Sequence, residues 1–343
     1  FGDACGGQGG EPKRWVQGRF SSVRISTVFL RYLNRRARNW QGTVSRVVEV
    51  PRNLDEVAFE TLIAATREEV QPNTRLLLDA RSVSWVSPYG LLGLLAIGQE
   101  VRQRTGLAPL IEPPEDDEVR SYIDRMHFWP AAAEVFELKA KLPKPHSASD
   151  ALLEVTTIRS YEDVHRVVEG VRERAQQILH NRLGYSMPAV IHFSIMLSEV
   201  CQNILEHADS IGWVCAQRYH WKRRLGRDVV VLAVMDAGVG FEGSLAREHA
   251  RTHGESWSAG EALQAAFLRG ESRFPDPGRG QGLQAVRNQV VKWDGAVRIR
   301  SGDATIAHVP EWDDLKPLQI ELPRFPGAQV LIVLPERIEE EVS

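Results

Sequence analysis

The feature that most constrains the fold is an uninterrupted apolar run, Val229 to Met235, that ends in one carboxylate and two glycines. A second apolar segment, Val214 to Trp221, precedes it, and the basic turn Lys222 to Arg227 connects the two. Two such runs joined by a short polar turn predict neighbouring strands. The segment Asp236 to Gly240 therefore follows the end of a buried strand.

A helix with polar groups at regular spacing precedes this strand pair. Glu199, Asn203 and His207 are spaced at i, i+4 and i+8, which predicts that they share one face of a helix. Beside them runs an apolar stripe that would seat the helix on a sheet. The stripe comprises Phe193, Leu197, Val200, Ile204 and Ala208.

A glycine-rich loop, Gly278-Arg279-Gly280-Gln281-Gly282-Leu283, opens directly into a helical pattern that reaches Val290. A helix N-terminus behind glycines presents free backbone N–H groups and the positive end of the helix dipole, which suits a phosphate chain. Taken alone, each of the three motifs is weak, because glycine runs are common in turns and Glu/Asn pairs are common on solvated helix faces. Their order along the chain carries the argument.

Composition narrows the classes of protein. A chain of 343 residues can form two domains, and 43% hydrophobic with 25% charged residues is ordinary for a soluble globular protein. A net charge of −3 gives no overall attraction to nucleic acid or to anionic membranes. Three cysteines without a CxxC pair indicate neither a disulfide framework nor a zinc ribbon, and favour the cytoplasm. No apolar run approaches the roughly 18 residues of a membrane span.

Changes in composition predict five segments. They are an arm (1–42), a first domain (43–142), a linker (143–150), a second domain (151–338) and an acidic tail (339–343). In the first domain, strands alternate with helices, which indicates an α/β layer fold. Strands are expected at Val47–Val50, Arg75–Asp79 and Leu107–Glu112, and helices at Leu54–Val70 with Asn53 as its cap, Leu91–Thr105 and Asp117–Met126.

The second domain has a different pattern of strands and helices. Strands are expected at Leu152–Ile158, Ala296–Ser301, Leu318–Leu322 and Val330–Leu334, in addition to the central pair. Helices are expected at Tyr161–Leu179 and Ala259–Arg269, in addition to the motif helix and the helix after the glycine loop. The fold class is thus α/β for the first domain and α+β for the second.

In this order and spacing the three motifs resemble the N, G1 and G2 boxes of the GHKL superfamily, which includes the ATPase domains of histidine kinases, gyrase B, MutL and the anti-sigma-factor serine kinases. The resemblance implies a Bergerat-type α/β sandwich over residues 151–338, with ATP and Mg²⁺ as cofactors. The segment Phe241 to Pro277 corresponds to the mobile lid of that family. The stretch Gly327 to Pro335 resembles the family's closing strand, with Ala328 where a threonine is usual.

The resemblance also implies roles for single residues. Asn203 would bind Mg²⁺ through its side-chain oxygen, and Glu199 would act as general base. Asp236 would accept a hydrogen bond from the adenine amino group, and Gly238 and Gly240 would let the backbone approach the base. The phosphates would contact the glycine loop, which comprises Gly278, Arg279, Gly280, Gln281, Gly282 and Leu283.

The stretch from Leu76 to Leu91 resembles the central segment of a STAS domain, the fold of anti-anti-sigma factors. In that family the loop before the helix carries a serine that is phosphorylated. Here Pro88 occupies the acceptor position, between Ser87 and Tyr89. Because proline has no hydroxyl group, we expect no phosphorylation at this site.

Together the two resemblances lie nearest to the anti-sigma-factor serine kinases. They predict a cytoplasmic Mg·ATP-binding regulator that is a serine/threonine protein kinase or a slow ATPase. It would act in partner switching with STAS-type or sigma-factor-regulating proteins, and a homodimer is a further expectation. The alternative is a non-catalytic switch in which ATP gates protein binding. A nucleic-acid role through the basic stretches at 31–38 and 222–227 has the least support.

Overall fold

The computed structural model describes residues 46–68, 73–138, 151–222, 224–252, 257–272 and 281–338. Residues 207, 247–252 and 281 are described by their backbone alone. The predicted arm, linker and acidic tail lie outside the described residues, so the predicted domain boundaries stay predictions. All described residues belong to one compact unit.

The first half is a small parallel sheet with helices packed around it. Strands β1, β3 and β5 pair in parallel in that order, with Val48 opposite Leu78 and Leu78 opposite Ile111. A second parallel pair joins β2 to β4. The elements are β1 Arg46–Glu49, β2 Asn53–Leu54, α1 Glu56–Arg67, β3 Leu76–Asp79, β4 Trp85–Val86, α2 Pro88–Thr105, β5 Leu110–Glu112, α3 Asp117–Arg125 and α4 Phe128–Val135.

Two expectations for this half are wrong. Asp55, not Asn53, caps α1: its Oδ1 accepts hydrogen bonds from the amides of Val57 at 3.0 Å and Ala58 at 2.8 Å. Asn53 is unavailable because it pairs with Trp85 in the short strand β2. Helix α4 was not predicted, since His127 before it makes no side-chain cap and adopts a left-handed φ of 54°.

The second half is a seven-stranded sheet with the order β11-β10-β9-β12-β8-β7-β6, in which every neighbouring pair is antiparallel. Its strands are β6 Leu153–Ile158, β7 Gly212–His220, β8 Asp228–Asp236, β9 Ala296–Gly302, β10 Ala304–His308, β11 Leu318–Gln319 and β12 Phe325–Pro335. Its helices are α5 Tyr161–Ala175, α6 Met187–Asn203, α7 Gly240–Thr252, α8 Ala259–Gln264 and α9 Gln281–Lys292. One-turn π-helical segments extend three of them: Gln176–His180, Ile204–Ala208 and Ala265–Arg269.

At the level of fold class, the expectation is confirmed. The described chain mixes helices with one parallel and one antiparallel main sheet, as α/β and α+β halves require. The strand pair around the basic turn is also confirmed, because β7 and β8 pair antiparallel from Gly212 to His220. The STAS-like and Bergerat-type identities of the two halves stay proposals.

Strand β8 is buried on both faces. Val230, Leu232 and Val234 belong to a hydrophobic cluster with the helices of the second half. The alternate residues Val231, Ala233 and Met235 belong to a cluster with the first half. Because successive strand residues point to opposite faces, an apolar residue at every position requires a cover on each side. Here the first half is the second cover.

Helix α2 packs across this face of the large sheet. The Sγ of Cys215 on β7 lies 3.7 Å from the carbonyl oxygen of Pro88, at the first residue of α2. Ser87 caps the helix by accepting a hydrogen bond from the amide of Gly90 at 3.0 Å. A Cβ on Gly90 would overlap the carbonyl oxygen of Leu54. The absence of a side chain at Gly90 thus lets α2 lie directly against the chain that enters α1.

Buried ion pairs also join the two halves. Glu60 of α1 accepts hydrogen bonds from Arg300 of β9, with Nε–Oε1 at 2.9 Å and Nη2–Oε2 at 3.1 Å. Arg300 is fully buried, and it also donates to the carbonyl oxygens of Gly302 and Pro323. A buried guanidinium with several acceptors is compensated for its loss of hydration, whereas removal of one partner leaves an uncompensated charge.

One helical segment, Met187–Glu206, is long and apolar enough to cross a membrane by length and composition, with a mean hydropathy of 1.2. It contains α6. Several of its apolar side chains, including Phe193, Leu197 and Val200, lie inside the hydrophobic cluster of the second half. Other apolar side chains of the segment, Met187, Ile191 and Ile195, are exposed.

We predict that Gly90→Ala lowers the free energy of unfolding by about 1–3 kcal/mol or more, because the added methyl group collides with rigid backbone. Gly170→Ala is the matched control. Gly170 lies in the middle of α5 with nothing within 4 Å of a built Cβ, so there the same exchange should raise stability by about 0.5–1 kcal/mol. Urea unfolding measures both changes. Equal effects of the two substitutions would contradict the packing of α2 described above.

Candidate functional site

The motif helix α6 brings Glu199 and Asn203 together one turn apart. Ser186 caps the helix by accepting a hydrogen bond from the amide of Ala189 at 3.4 Å. Both polar side chains are half-buried. His207 lies in the π-helical turn Ile204–Ala208. Its side chain lies outside the described part of the structure, so the prediction that it shares this face stays a prediction.

Asp236 is the last residue of β8, and its exposed fraction is 5%. Its Oδ1 accepts a hydrogen bond from the amide of Gly238 at 2.8 Å, and its Oδ2 accepts one from the amide of Ala328 at 3.3 Å. Burial raises the pKa of this carboxyl group to about 7, and the two backbone hydrogen bonds only partly oppose the shift. Near neutral pH, Asp236 can therefore exist with or without its proton.

The turn after Asp236 depends on its two glycines. A Cβ on Gly238 would overlap the carbonyl oxygen of Ala208, which already accepts a hydrogen bond from the amide of Val239 at 3.0 Å. Gly240 adopts a φ of 65°, and a Cβ there would lie 2.5 Å from the Oγ of Ser301. Only glycine fits both positions without strain. The turn thus runs tightly between the end of α6 and the strand pair β9 and β12.

The beginning of β12 supports the same turn. Gly327 adopts a φ of 78°, and a Cβ there would lie 2.6 Å from the Oδ1 of Asp236. The next residue, Ala328, donates its amide to Asp236. Gln329 is fully buried, and its Nε2 donates to the carbonyl oxygens of Asp236 at 3.1 Å and Pro326 at 2.9 Å. The glutamine therefore fixes the backbone on either side of the acid rather than offering its amide to a ligand.

The start of α9 lies against the acid of the motif helix. A Cβ on Gly282 would overlap the Oε2 of Glu199, so the glycine loop and α6 are in direct contact. Leu283 is buried and follows immediately. Gln281 is the first residue of α9 and is described by its backbone alone. The remaining predicted members of this loop, Gly278, Arg279 and Gly280, lie outside the described residues.

A cavity collects most of these groups. It has a volume of about 40 Å³, and no described residue of the first half lines it. Its walls contain Asn203, Asp236, Gly240, Phe241, Ser244, Leu283, Ala328 and Val330. Four predicted site residues from three separate segments of the chain therefore meet at one cavity. Glu199 stands beside it, next to Gly282, and Gly238 faces a second cavity on the other side of the turn.

Three supporting residues, Ser301, Gln329 and Arg300, were not among the predicted site residues. Ser301 accepts a hydrogen bond from the amide of Phe241 at 3.0 Å and donates to the carbonyl oxygen of Gly327 at 2.8 Å. Gln329 positions Asp236, and Arg300 lies 3.5 Å from the Oε1 of Gln329. Polar residues inside an otherwise apolar strand are the one signal that could have revealed them, since such residues need buried partners.

These contacts form a polar chain between the two halves. It runs from Glu60 of α1 through Arg300 of β9 to Gln329 of β12, and from there to the carbonyl oxygen of Asp236. Each member is buried or nearly buried, and a buried polar group without a partner costs about 1–3 kcal/mol. A change at α1 therefore has a direct physical route to the acid at the cavity.

No group of three histidine, cysteine or acidic side chains that could bind a metal occurs among the described residues. Among the described residues of the motif helix that line the cavity, Asn203 is the one with a polar side chain. A cation held here would thus need oxygens from a ligand and from water, which is the coordination that Mg²⁺ adopts with phosphates.

We predict that Asp236→Asn flattens the pH dependence of stability. The folded-state pKa of about 7 lies above the unfolded value near 3.8, so the stability present below pH 4 is lost as the pH rises through 7. At about 1.4 kcal/mol per pH unit, this group accounts for a loss of roughly 4 kcal/mol in the native protein. Urea unfolding between pH 4 and 8 measures it. The exposed Asp314→Asn serves as the control, and an unchanged slope in Asp236→Asn would contradict the burial of this acid.

The chain was also compared with known proteins. No family model and no curated protein sequence matches it. The assignment of a family therefore depends on the three motifs and on the geometry that joins them. Of the features above, the cavity lined by Asn203, Asp236, Gly240 and Leu283 bears most directly on function.

Proposed function

We propose that this protein is a Mg·ATP-binding regulator with a histidine-kinase-like ATPase half, and that it acts as a serine/threonine protein kinase or a slow ATPase. The observation that carries the proposal is the shared cavity of Asn203, Asp236, Gly240 and Leu283. These residues come from the three motifs that resemble the N, G1 and G2 boxes. Residues so far apart in sequence have no structural need to converge on one cavity that also has a buried acid at its base.

The groups at the cavity suit the parts of a nucleotide. Asp236 offers a carboxylate oxygen next to apolar walls such as Val234 and Val330, which fits a planar base with an exocyclic amine. Asn203 offers a neutral oxygen one helical turn from Glu199, which fits a hydrated cation between phosphates. Gly282, the one glycine of this loop that the structure describes, lies directly against Glu199, where a Cβ would overlap its Oε2.

The chemistry assigned to the chain follows from these positions. Bound Mg²⁺ would supply positive charge that offsets the charge of the phosphates. Glu199 would accept the proton of a partner's serine or threonine hydroxyl, or of water, as the oxygen attacks the γ-phosphorus and ADP leaves. Asn203 would orient the cation, and Asp236 would orient the base. In this scheme positioning contributes most of the rate enhancement, as in other phosphoryl transfers.

The alternative is a switch without catalysis, in which ATP changes the affinity for a partner protein. One observation favours it. The turn Asp236–Gly240 separates the nucleotide cavity from a second cavity of about 410 Å³, whose walls include Glu100 and Arg104 of the first half as well as Gly238 and Gly327. A ligand that moves this turn would therefore act on both halves, which is the requirement for a population shift.

The STAS-like half is proposed to dock partners or to regulate the ATPase half rather than to accept phosphate. Pro88 lacks a hydroxyl group, and Ser87 is buried. The Ser87 hydroxyl is engaged with the amide of Gly90 and with the carbonyl oxygen of Leu54 at 3.3 Å. Ser84 is exposed but donates to the carbonyl oxygen of Arg52. A phosphate on Ser87 would have to displace the N-terminal cap of α2.

A nucleic-acid role gains no support from the basic turn. Arg224 lies over the rings of Trp221 and Trp312 at 5.0 and 5.9 Å and pairs with Asp313. Arg227 pairs with Asp294 at 3.1 Å. Cations that are already engaged within the protein are poorly available to phosphates. The other basic stretch, residues 31–38, lies outside the described residues.

We predict that the protein binds Mg·ATP and that Asn203→Ala weakens this binding by about 10- to 100-fold, the usual effect of losing a contact to the metal. Isothermal titration calorimetry with Mg²⁺ and a slowly hydrolysed ATP analogue measures the affinity. Gln202→Ala is the matched control, because Gln202 is on the same helix but bonds to Ser198 at 2.8 Å and does not line the cavity. Absence of binding to the native protein would overturn the proposed function.

We predict that Glu199→Gln separates the kinase or ATPase from the switch. If Glu199 acts as a base, phosphate transfer or release falls by about 10²- to 10⁴-fold while ATP affinity changes little. Labelled ATP with STAS-type partner proteins, followed by electrophoresis and phosphate release, measures both activities. Glu169→Gln on the exposed face of α5 is the control. If native protein and Glu199→Gln bind ATP equally and neither transfers phosphate, the non-catalytic switch is the better description.

A further inference from the structure

A third cavity lies away from the nucleotide cavity, between the first half and the large sheet. Its volume is about 270 Å³, close to the lower end of the range of small-molecule sites. Its walls include Glu56, Trp85, Tyr219, Trp221, Arg298 and Leu331. None of these residues belongs to the three motifs. The cavity is therefore separate from the proposed ATPase site.

Arg298 is a buried cation in this wall. Its exposed fraction is 5%, and its one ion pair with another described residue is a long contact of 3.6 Å to the Oε1 of Glu60. Among the described residues, no hydrogen bond from its side chain is found, although a guanidinium carries five N–H donors. The oxygens of Glu60 are instead occupied by Arg300. A buried cation with free donors facing a cavity calls for an anionic acceptor.

Glu56 is the complementary acid. It is the first residue of α1 and lies one helical turn before Glu60. On β9, Arg298 lies two residues before Arg300. The two acids are therefore spaced along α1 as the two arginines are spaced along β9, because four helical residues and two strand residues span similar lengths. Of the two possible acid–arginine pairs, only Glu60–Arg300 is formed. In the described part of the chain, Glu56 has no ion pair within 4 Å. Burial raises the pKa of its carboxyl group, although a hydrogen bond from its own backbone amide and the charge of Arg298 lower it.

The other charges of the cavity wall have partners within the protein. Asp55 caps α1, and Asp313 pairs with Arg224. This leaves Glu56 and Arg298 as the opposite charges that face the open space, with the cation of Lys222 near the solvent. A ligand that satisfies both therefore carries a positive and a negative group.

The remaining walls are apolar and aromatic. The rings of Trp85 and Tyr219 lie 6.5 Å apart and are tilted by 58°. The Tyr219 hydroxyl bonds to that of Tyr122 at 2.8 Å, which fixes the ring. Leu331 faces Arg298 across the β12–β9 pair and contributes to the apolar floor. Such walls suit the apolar body of a ligand.

We propose that this cavity binds a small zwitterion with an apolar body, of the class of a free aromatic or branched-chain amino acid. Its carboxylate would accept hydrogen bonds from Arg298, and its ammonium group would donate to Glu56. The apolar side chain would lie among Trp85, Tyr219 and Leu331. Binding would connect Glu56 of α1 to Arg298 of β9 through the ligand and so hold the two halves together.

The test uses the full chain and three compounds of the same shape: phenylalanine, 3-phenylpropionate and 2-phenylethylamine. Tryptophan fluorescence and calorimetry should show that the native protein binds phenylalanine at least about tenfold more tightly than either analogue, since each lost charge removes a charge-assisted hydrogen bond. Arg298→Met should abolish the preference over 2-phenylethylamine. Glu56→Gln should abolish the preference over 3-phenylpropionate.

Arg298→Lys and Glu118→Gln are the controls. The lysine keeps the positive charge and should retain part of the preference, whereas Glu118→Gln makes the same exchange in the exposed first turn of α3 and should change nothing. Glu56→Gln keeps the test decisive if Arg298→Met does not fold. No binding of phenylalanine, equal binding of the three compounds, or preferences unchanged in Glu56→Gln would each overturn the proposal, whether or not the protein binds ATP.

Discussion

The structure depends on the burial of β8 on both of its faces. Its residues alternate between a cluster with the helices of the second half and a cluster with the first half, so neither face could be left to solvent. Exposure of a large apolar sheet face would favour association with other molecules. The first half is therefore a structural cover for the large sheet as well as a proposed docking module. The buried Glu60–Arg300 pair adds specificity to this apolar contact.

The same strand delivers the acid of the candidate site. β8 ends at Asp236, and the neighbouring strand β12 places Gly327 and Ala328 beside the carboxylate. Ser301 of β9 in turn donates a hydrogen bond to the carbonyl oxygen of Gly327. The acid is thus held by backbone that the core fixes on both sides. The chain of contacts from Glu60 through Arg300 and Gln329 links the cover to the acid. Regulation of a nucleotide site by the first half would need no large motion, because this route already exists.

Local patterns predicted most helices and strands, since apolar periodicity and cap residues act over a few positions. The resemblance of the three motifs to a known family identified four residues that the structure brings to one cavity, Asn203, Asp236, Gly240 and Leu283. Long-range features were not predictable in this way. The unpredicted β10 pairs with β9 and the unpredicted α4 packs on α2, and neither partner can be inferred from local sequence. The same holds for the contact of Gln329 with Asp236, which is 93 residues away along the chain. Its second partner, Pro326, is only 3 residues away.

Hydrogen exchange of the full chain with and without Mg·ATP tests the central claim most directly, because it reports on all three motifs at once. If they form one nucleotide site, ATP should slow the exchange of backbone amides near Asn203, between Asp236 and Phe241, and at the start of α9 together, with one concentration dependence. Unchanged exchange in these three segments at high Mg·ATP concentration, or protection confined to one of them, would contradict a shared site at the end of β8.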